Sequence, residues 1–140
     1  MSVPAPKRGV GELDVNTKAL QMTVHTFRNL QNEKYFPKDQ EVFINEMRQC
    51  ALDIQRLCWM ANNIKVDDIQ SRYERRLDLQ DRAAEKCNDM VMLIETAKKL
   101  FHLTWRKTAY WIKQYTALRS QIVAWHNSDV KRLKPKNKND

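Results

Sequence analysis

Residues 43–61, FINEMRQCALDIQRLCWMA, decide the fold class of this chain. Phe43, Met47, Cys50, Ala51, Ile54, Leu57, Cys58 and Ala61 recur at three- and four-residue steps. At 3.6 residues per turn, that spacing lines one face of a helix with apolar side chains and turns the charged ones to the other. Lys34-Tyr35-Phe36-Pro37 makes the corner before it. Pro37 suits the first turn of the helix, where a missing N–H costs nothing. Asn62-Asn63 marks the end.

Upstream, Leu20, Val24, Phe27 and Leu30 predict a first helix from about Asp14 to Asn29–Glu33. Downstream, Asp67 or Asp68 offers an N-cap carboxylate at the positive end of a third helix. That helix is expected over about Ile69–Leu103, on the stripe Ile69, Tyr73, Leu77, Ala84, Cys87, Met90, Val91, Ile94, Ala97 and Phe101. Thr104 caps a fourth helix whose Thr108, Trp111, Ile112, Tyr115, Leu118, Ile122 and Trp125 share one face, and Asp129 ends it. Four amphipathic helices with short links predict an all-α protein, an antiparallel up-down-up-down four-helix bundle. The division expected is a disordered arm at 1–12, the bundle at 13–129 and a flexible basic tail at 130–140.

Composition agrees. The two glycines, Gly9 and Gly11, leave residues 12–140 with none. Tight hairpins and phosphate-cradling loops need glycine, so a β fold, a P-loop and a dinucleotide site are disfavoured. Three cysteines, Cys50, Cys58 and Cys87, are an odd number without a CxxC pair. They suit a reducing cytoplasm and buried packing better than disulfides or metal. No leader-like or membrane-spanning apolar run is present, so the expectation is a soluble cytoplasmic protein.

The net charge of +8 is unevenly placed. Residues 1–95 carry 14 basic and 15 acidic side chains, whereas residues 96–140 carry 11 basic and 2 acidic. A one-sided basic third is the footprint of a polyanion-binding surface. Lys98, Lys99 and Lys107 surround the corner between the third and fourth helices. Arg106 and Lys113, seven apart, project along one line opposite the apolar stripe, with Tyr110 on the same outer face to stack on an unpaired base. Lys131, Arg132, Lys134, Lys136 and Lys138 add a flexible electrostatic arm. Arg119, at the margin of the apolar face, is expected to pair with an acid, within the chain or across a subunit boundary, or to line a channel.

No catalytic or metal constellation accompanies these cations. His25, His102 and His126 lack the Glu-x-x-His spacing of di-iron bundles. Glu74, Asp78, Asp81 and Glu85 form an acidic stripe on the third helix, and Asp68–Arg72, Asp78–Arg82 and Glu95–Lys99 have i, i+4 spacing. They suit a solvated, ion-paired face better than acid–base catalysis. No cofactor is expected. Four tryptophans, Trp59, Trp105, Trp111 and Trp125, exceed the needs of a monomeric core and suggest faces buried between subunits.

The chain also resembles a known family. The carrying residues are Phe36-Pro37-Lys38, Met47-Arg48, Ala51-Leu52, Ala61-Asn62, Tyr73-x-x-Arg76 and the late Trp125-His126-Asn127-Ser128. Over about residues 29–129 they look like the Avd-like four-helix-bundle proteins. That family includes the accessory variability determinant of diversity-generating retroelements and bundles encoded in intervening sequences of ribosomal RNA genes. The resemblance implies a homopentamer with a basic surface, binding a reverse transcriptase together with RNA, DNA or an RNA–DNA hybrid. It implies a non-catalytic role in mutagenic copying. The alternatives are an RNA-associated bundle of the ribosomal intervening-sequence type, or a structural protein-interaction bundle.

Overall fold

The computed structural model describes residues 10–65 and 69–133, with side chains from residue 15 onward. Four helices account for nearly all of it: α1 (Val10–Leu30), α2 (Glu41–Asn63), α3 (Gln70–Phe101) and α4 (Trp105–Arg132). No strand occurs among the described residues. Each helix packs on two others, α1 on α2 and α4, and α3 on α2 and α4, so the four surround one core in a bundle. No helix of the described residues is long and apolar enough to cross a membrane.

The α2 stripe is buried as its spacing requires, with Ile44 taking the position beside Phe43, which is only partly covered. Pro37 precedes a short 3-10 turn, Lys38–Gln40, that leads into α2. The α4 stripe is likewise buried from Thr108 to Trp125, with Ile112 only partly covered. All three cysteines are free and buried. Burial in the apolar core pushes the Cys50 and Cys58 thiols up to about 12 and Cys87 higher still. Such thiols pack; they do not attack.

The α1 stripe differs from expectation. Leu30 is buried as expected and Phe27 partly so, but Leu20 and Val24 are exposed, and Val15, Ala19, Met22 and Thr26 are buried in their place. The reason is a polar chain inside the core. Trp111 Nε1 donates to Thr26 Oγ1 at 3.2 Å, Thr26 and Tyr115 hydroxyls lie 2.6 Å apart, and Tyr115 Oη donates to the Met22 carbonyl at 3.2 Å. The indole can only donate and the carbonyl only accept, so the Thr26 hydroxyl must donate to Tyr115. Every proton in the chain has an acceptor, which lets a threonine occupy a core position that hydropathy assigns to a leucine.

Helix boundaries shift too. The first helix begins at Val10, ahead of Asp14. The N-cap of α3 is Ile69, exposed and without a side-chain bond; Asp67 and Asp68 lie outside the described residues. Leu77 is only partly covered, while Arg76, Leu79, Gln80 and Ala83 are buried. Asp129 does not end α4, which runs on to Arg132.

Asp129 is fully buried because it meets Arg76. Arg76 Nε donates to Asp129 Oδ2 at 2.6 Å, as does Gln80 Nε2 at 2.6 Å. The same guanidinium donates to the Ile64 carbonyl at 3.2 Å and lies over the Trp125 ring. One cation thus holds the C-terminal end of α2, the start of α3 and the end of α4. It also places positive charge where the α2 dipole is negative.

Candidate nucleic-acid interface

The corner joining α3 to α4 is built without glycine. His102 takes the left-handed conformation (φ 55°) that ends α3, a role usually given to glycine. The Leu103 amide returns to the Lys98 carbonyl at 3.3 Å, and Thr104 Oγ1 accepts from the Lys107 amide at 3.3 Å. A left-handed C-cap and a threonine N-cap lie two residues apart. The corner is therefore short and defined, and it brings the last turn of α3 beside the first turn of α4.

Five cations meet there. Lys98 and Lys99 occupy the last turn of α3, where the helix dipole favours them. Arg106 and Lys107 occupy the first turn of α4, where it opposes them, and no acid shares that turn. Lys113 follows two turns on. Among the described residues none of the five makes an ion pair, whereas other cations of the fold do. The Glu95–Lys99 pair anticipated from spacing does not form, although Asp78–Arg82 does at 3.9 Å.

Two neighbouring faces result. On the α1 side, Lys107 Nζ lies 4.7 Å from the centre of the Tyr35 ring, and Tyr110 meets His25 edge to face at 5.6 Å. Burial, then Lys107 and Lys18, hold the His25 imidazole below its ordinary 6.5. On the α3 side, Lys98, Trp105 and Lys113 line an open groove of about 330 Å³ together with Glu95, Thr108, Ala109 and Ile112. Trp105 is 68% exposed there, whereas Trp111 and Trp125 are core. Sequence reasoning chose Tyr110 as the stacking residue and assigned Trp105 to core or interface. The signal for Trp105 was its place directly after the cap Thr104, off the Trp111–Leu118 stripe.

Compared with family models, curated proteins and solved structures, the chain matches none.

The remaining site residues are not brought to this corner. Arg119 is exposed and makes no ion pair among the described residues. Lys131 and Arg132 stand at the far end of α4, about 40 Å from Arg106 at 1.5 Å per residue. Arg132 there turns to Asp129 at 3.6 Å and donates to Ser128 Oγ at 3.0 Å. Lys134, Lys136 and Lys138 lie outside the described residues.

The α2–α3 surface has the opposite character. Glu46, Asp53 and Asp89 line a shallow groove with Lys86 and Met92, and Asp53 is met by Lys86 at 3.6 Å and Arg56 at 3.2 Å. The acidic residues of α3 follow suit: Glu74, Asp78, Asp81 and Glu85 are all exposed, and Asp81 faces His126 at 3.2 Å. Among the described residues no three His, Cys, Asp or Glu side chains cluster as a metal site.

Proposed function

We propose that this chain is a non-catalytic nucleic-acid-binding accessory protein of a diversity-generating retroelement, assisting a reverse transcriptase in mutagenic cDNA synthesis from template RNA. The observation that carries the binding half is the α3–α4 corner, where five cations lack acid partners among the described residues. Two of them sit against a helix dipole, a stability cost that a phosphate would reverse. The polymerase half rests on the likeness of residues 29–129 to the Avd-like bundles.

The same likeness supports a homopentamer. Trp59 and Val42 on α2, with Met92 and Leu100 on α3, leave apolar surface in water that packing between copies would cover. Light scattering at about five times the 16.7 kDa chain mass is the result expected. The helix-to-helix links favour the antiparallel up-down-up-down order: Arg76 with Asp129, Phe43 with Phe101, and His25 with Tyr110 pair opposite helix ends.

The deciding experiment is binding of nuclease-treated protein to labelled RNA, DNA and RNA–DNA hybrid over a salt series. Affinity is expected to fall steeply with salt. Joint alanine replacement of Lys98, Arg106, Lys107 and Lys113 should flatten the slope of log K against log salt by about 0.7 per lost contact on single strands. Absence of binding at low salt would overturn the proposal and assign the corner to an acidic protein. A reverse transcriptase gene is expected beside this one; a position inside a ribosomal RNA operon would instead favour the intervening-sequence relatives.

A further inference from the structure

The groove between the end of α3 and the start of α4 has a composition that a phosphate-binding patch alone does not require. Its wall is Trp105, held at the first helical position of α4 and largely in water. Thr108, Ala109 and Ile112 line it beside Trp105, and its charged lining residues are Lys98, Lys113 and Glu95. The Thr108 hydroxyl reaches the Thr104 and Trp105 carbonyls at 3.2 and 3.1 Å, so its proton is engaged within the first turn. The small side chain of Ala109 leaves room for a flat ring to approach.

We propose that this groove stacks one unpaired nucleobase on Trp105, with the phosphates on either side held by Lys98 and Lys113. The proposal rests on the nucleic-acid function above and narrows it to single-stranded substrate. Three features favour a base over a bare phosphate or a duplex. An exposed indole offers a π-face that a phosphate does not use, and stacking on aromatic side chains is how unpaired strands are held without sequence reading. Glu95, the acid in the lining, disfavours a phosphate within the groove but suits a base edge bearing N–H donors. In a duplex the base faces are already covered by their neighbours, leaving only backbone contact with the lysines.

The test compares wild-type protein, Trp105→Ala, Trp105→Phe and the Lys98→Ala/Lys113→Ala pair. The probes are a short single-stranded RNA, the DNA of the same sequence and the matching duplex. Trp105→Ala is expected to weaken single-strand binding about ten- to a hundredfold, while duplex binding stays within about twofold. Trp105→Phe should restore most of the loss, and the lysine pair should weaken both forms and lower their salt dependence. Equal weakening of RNA and DNA marks recognition of the base alone; a larger loss on RNA marks a 2′-hydroxyl contact in the same groove.

If Trp105→Ala leaves single-strand affinity unchanged, or weakens single strand and duplex alike, the stacking site is wrong although the nucleic-acid function stands. If wild-type protein binds none of the probes, the function itself fails. Because Trp105 is exposed, the variants should keep the wild-type helical circular dichroism, so a binding loss is not a folding loss.

Discussion

At one end of the α3–α4 pair, Arg76 is buried against Asp129, bonded to the α2 carbonyls and stacked over Trp125. At the other end, Lys98, Lys99, Arg106, Lys107 and Lys113 face one corner with no ion pair among the described residues. Both ends hold cations, yet the physics differs. A guanidinium taken out of water must have its charge and its N–H groups matched, or the fold loses several kcal/mol. A surface lysine keeps its hydration and needs no partner, so its placement is free to serve binding. The first end is therefore structural, and the second is where charge remains available to a ligand.

The sharpest way to break this contrast is to unpair the buried end. Arg76→Ala or Asp129→Ala should cost about 3–5 kcal/mol in denaturant-measured stability, because each leaves the other charge buried alone. Replacing both by Met and Leu should cost much less. In either case the protein that remains folded should bind nucleic acid as before; a binding loss beyond the folded fraction would show that the two ends are coupled.

A smaller effect of opposite sign is expected at the corner. Arg106→Glu should stabilise the protein by about 0.3–1 kcal/mol, since an acid suits the first turn of α4 where a cation does not. The same change should weaken nucleic-acid binding and reduce its salt dependence. A substitution that raises the denaturation midpoint while lowering affinity would identify the corner cations as retained for binding. Loss of both together would mean that Arg106 supports the fold.

The subtlest test is His25, whose imidazole lies below 6.5 through burial and the nearby Lys107 and Lys18. The unfolded chain then binds more protons than the folded one as pH drops below 6.5, so this residue removes stability on acidification. His25→Gln should flatten that part of the stability profile. Phosphates seated at the corner would offset Lys107 and raise the His25 value, visible as an upward shift of its imidazole NMR titration when RNA is added. An unchanged titration in a saturated complex would place the bound strand away from the α1 side, toward Trp105.

What the chain determined locally is clear from α2 and α4. Their stripes, the Thr104 cap, the absence of glycine between helices and the acid-poor segment from Thr96 to Ser128 are periodic or compositional features, readable because neighbours in sequence create them. The cations of the corner belong to this class, since they fall within ten residues of one short turn. Tertiary structure decided the rest. Thr26 enters the core only because Trp111 and Tyr115 of α4 complete its hydrogen bonds. Asp129 and Arg76 are buried only because folding joins residues 53 positions apart. Asp129 did continue the Leu118–Ile122–Trp125 spacing, but periodicity cannot say that a carboxylate on that line has a partner waiting. Likewise Trp105 became a groove wall when α3 packed beside it. Burial of a polar group depends on the partner that satisfies it, and that partner lies on another helix.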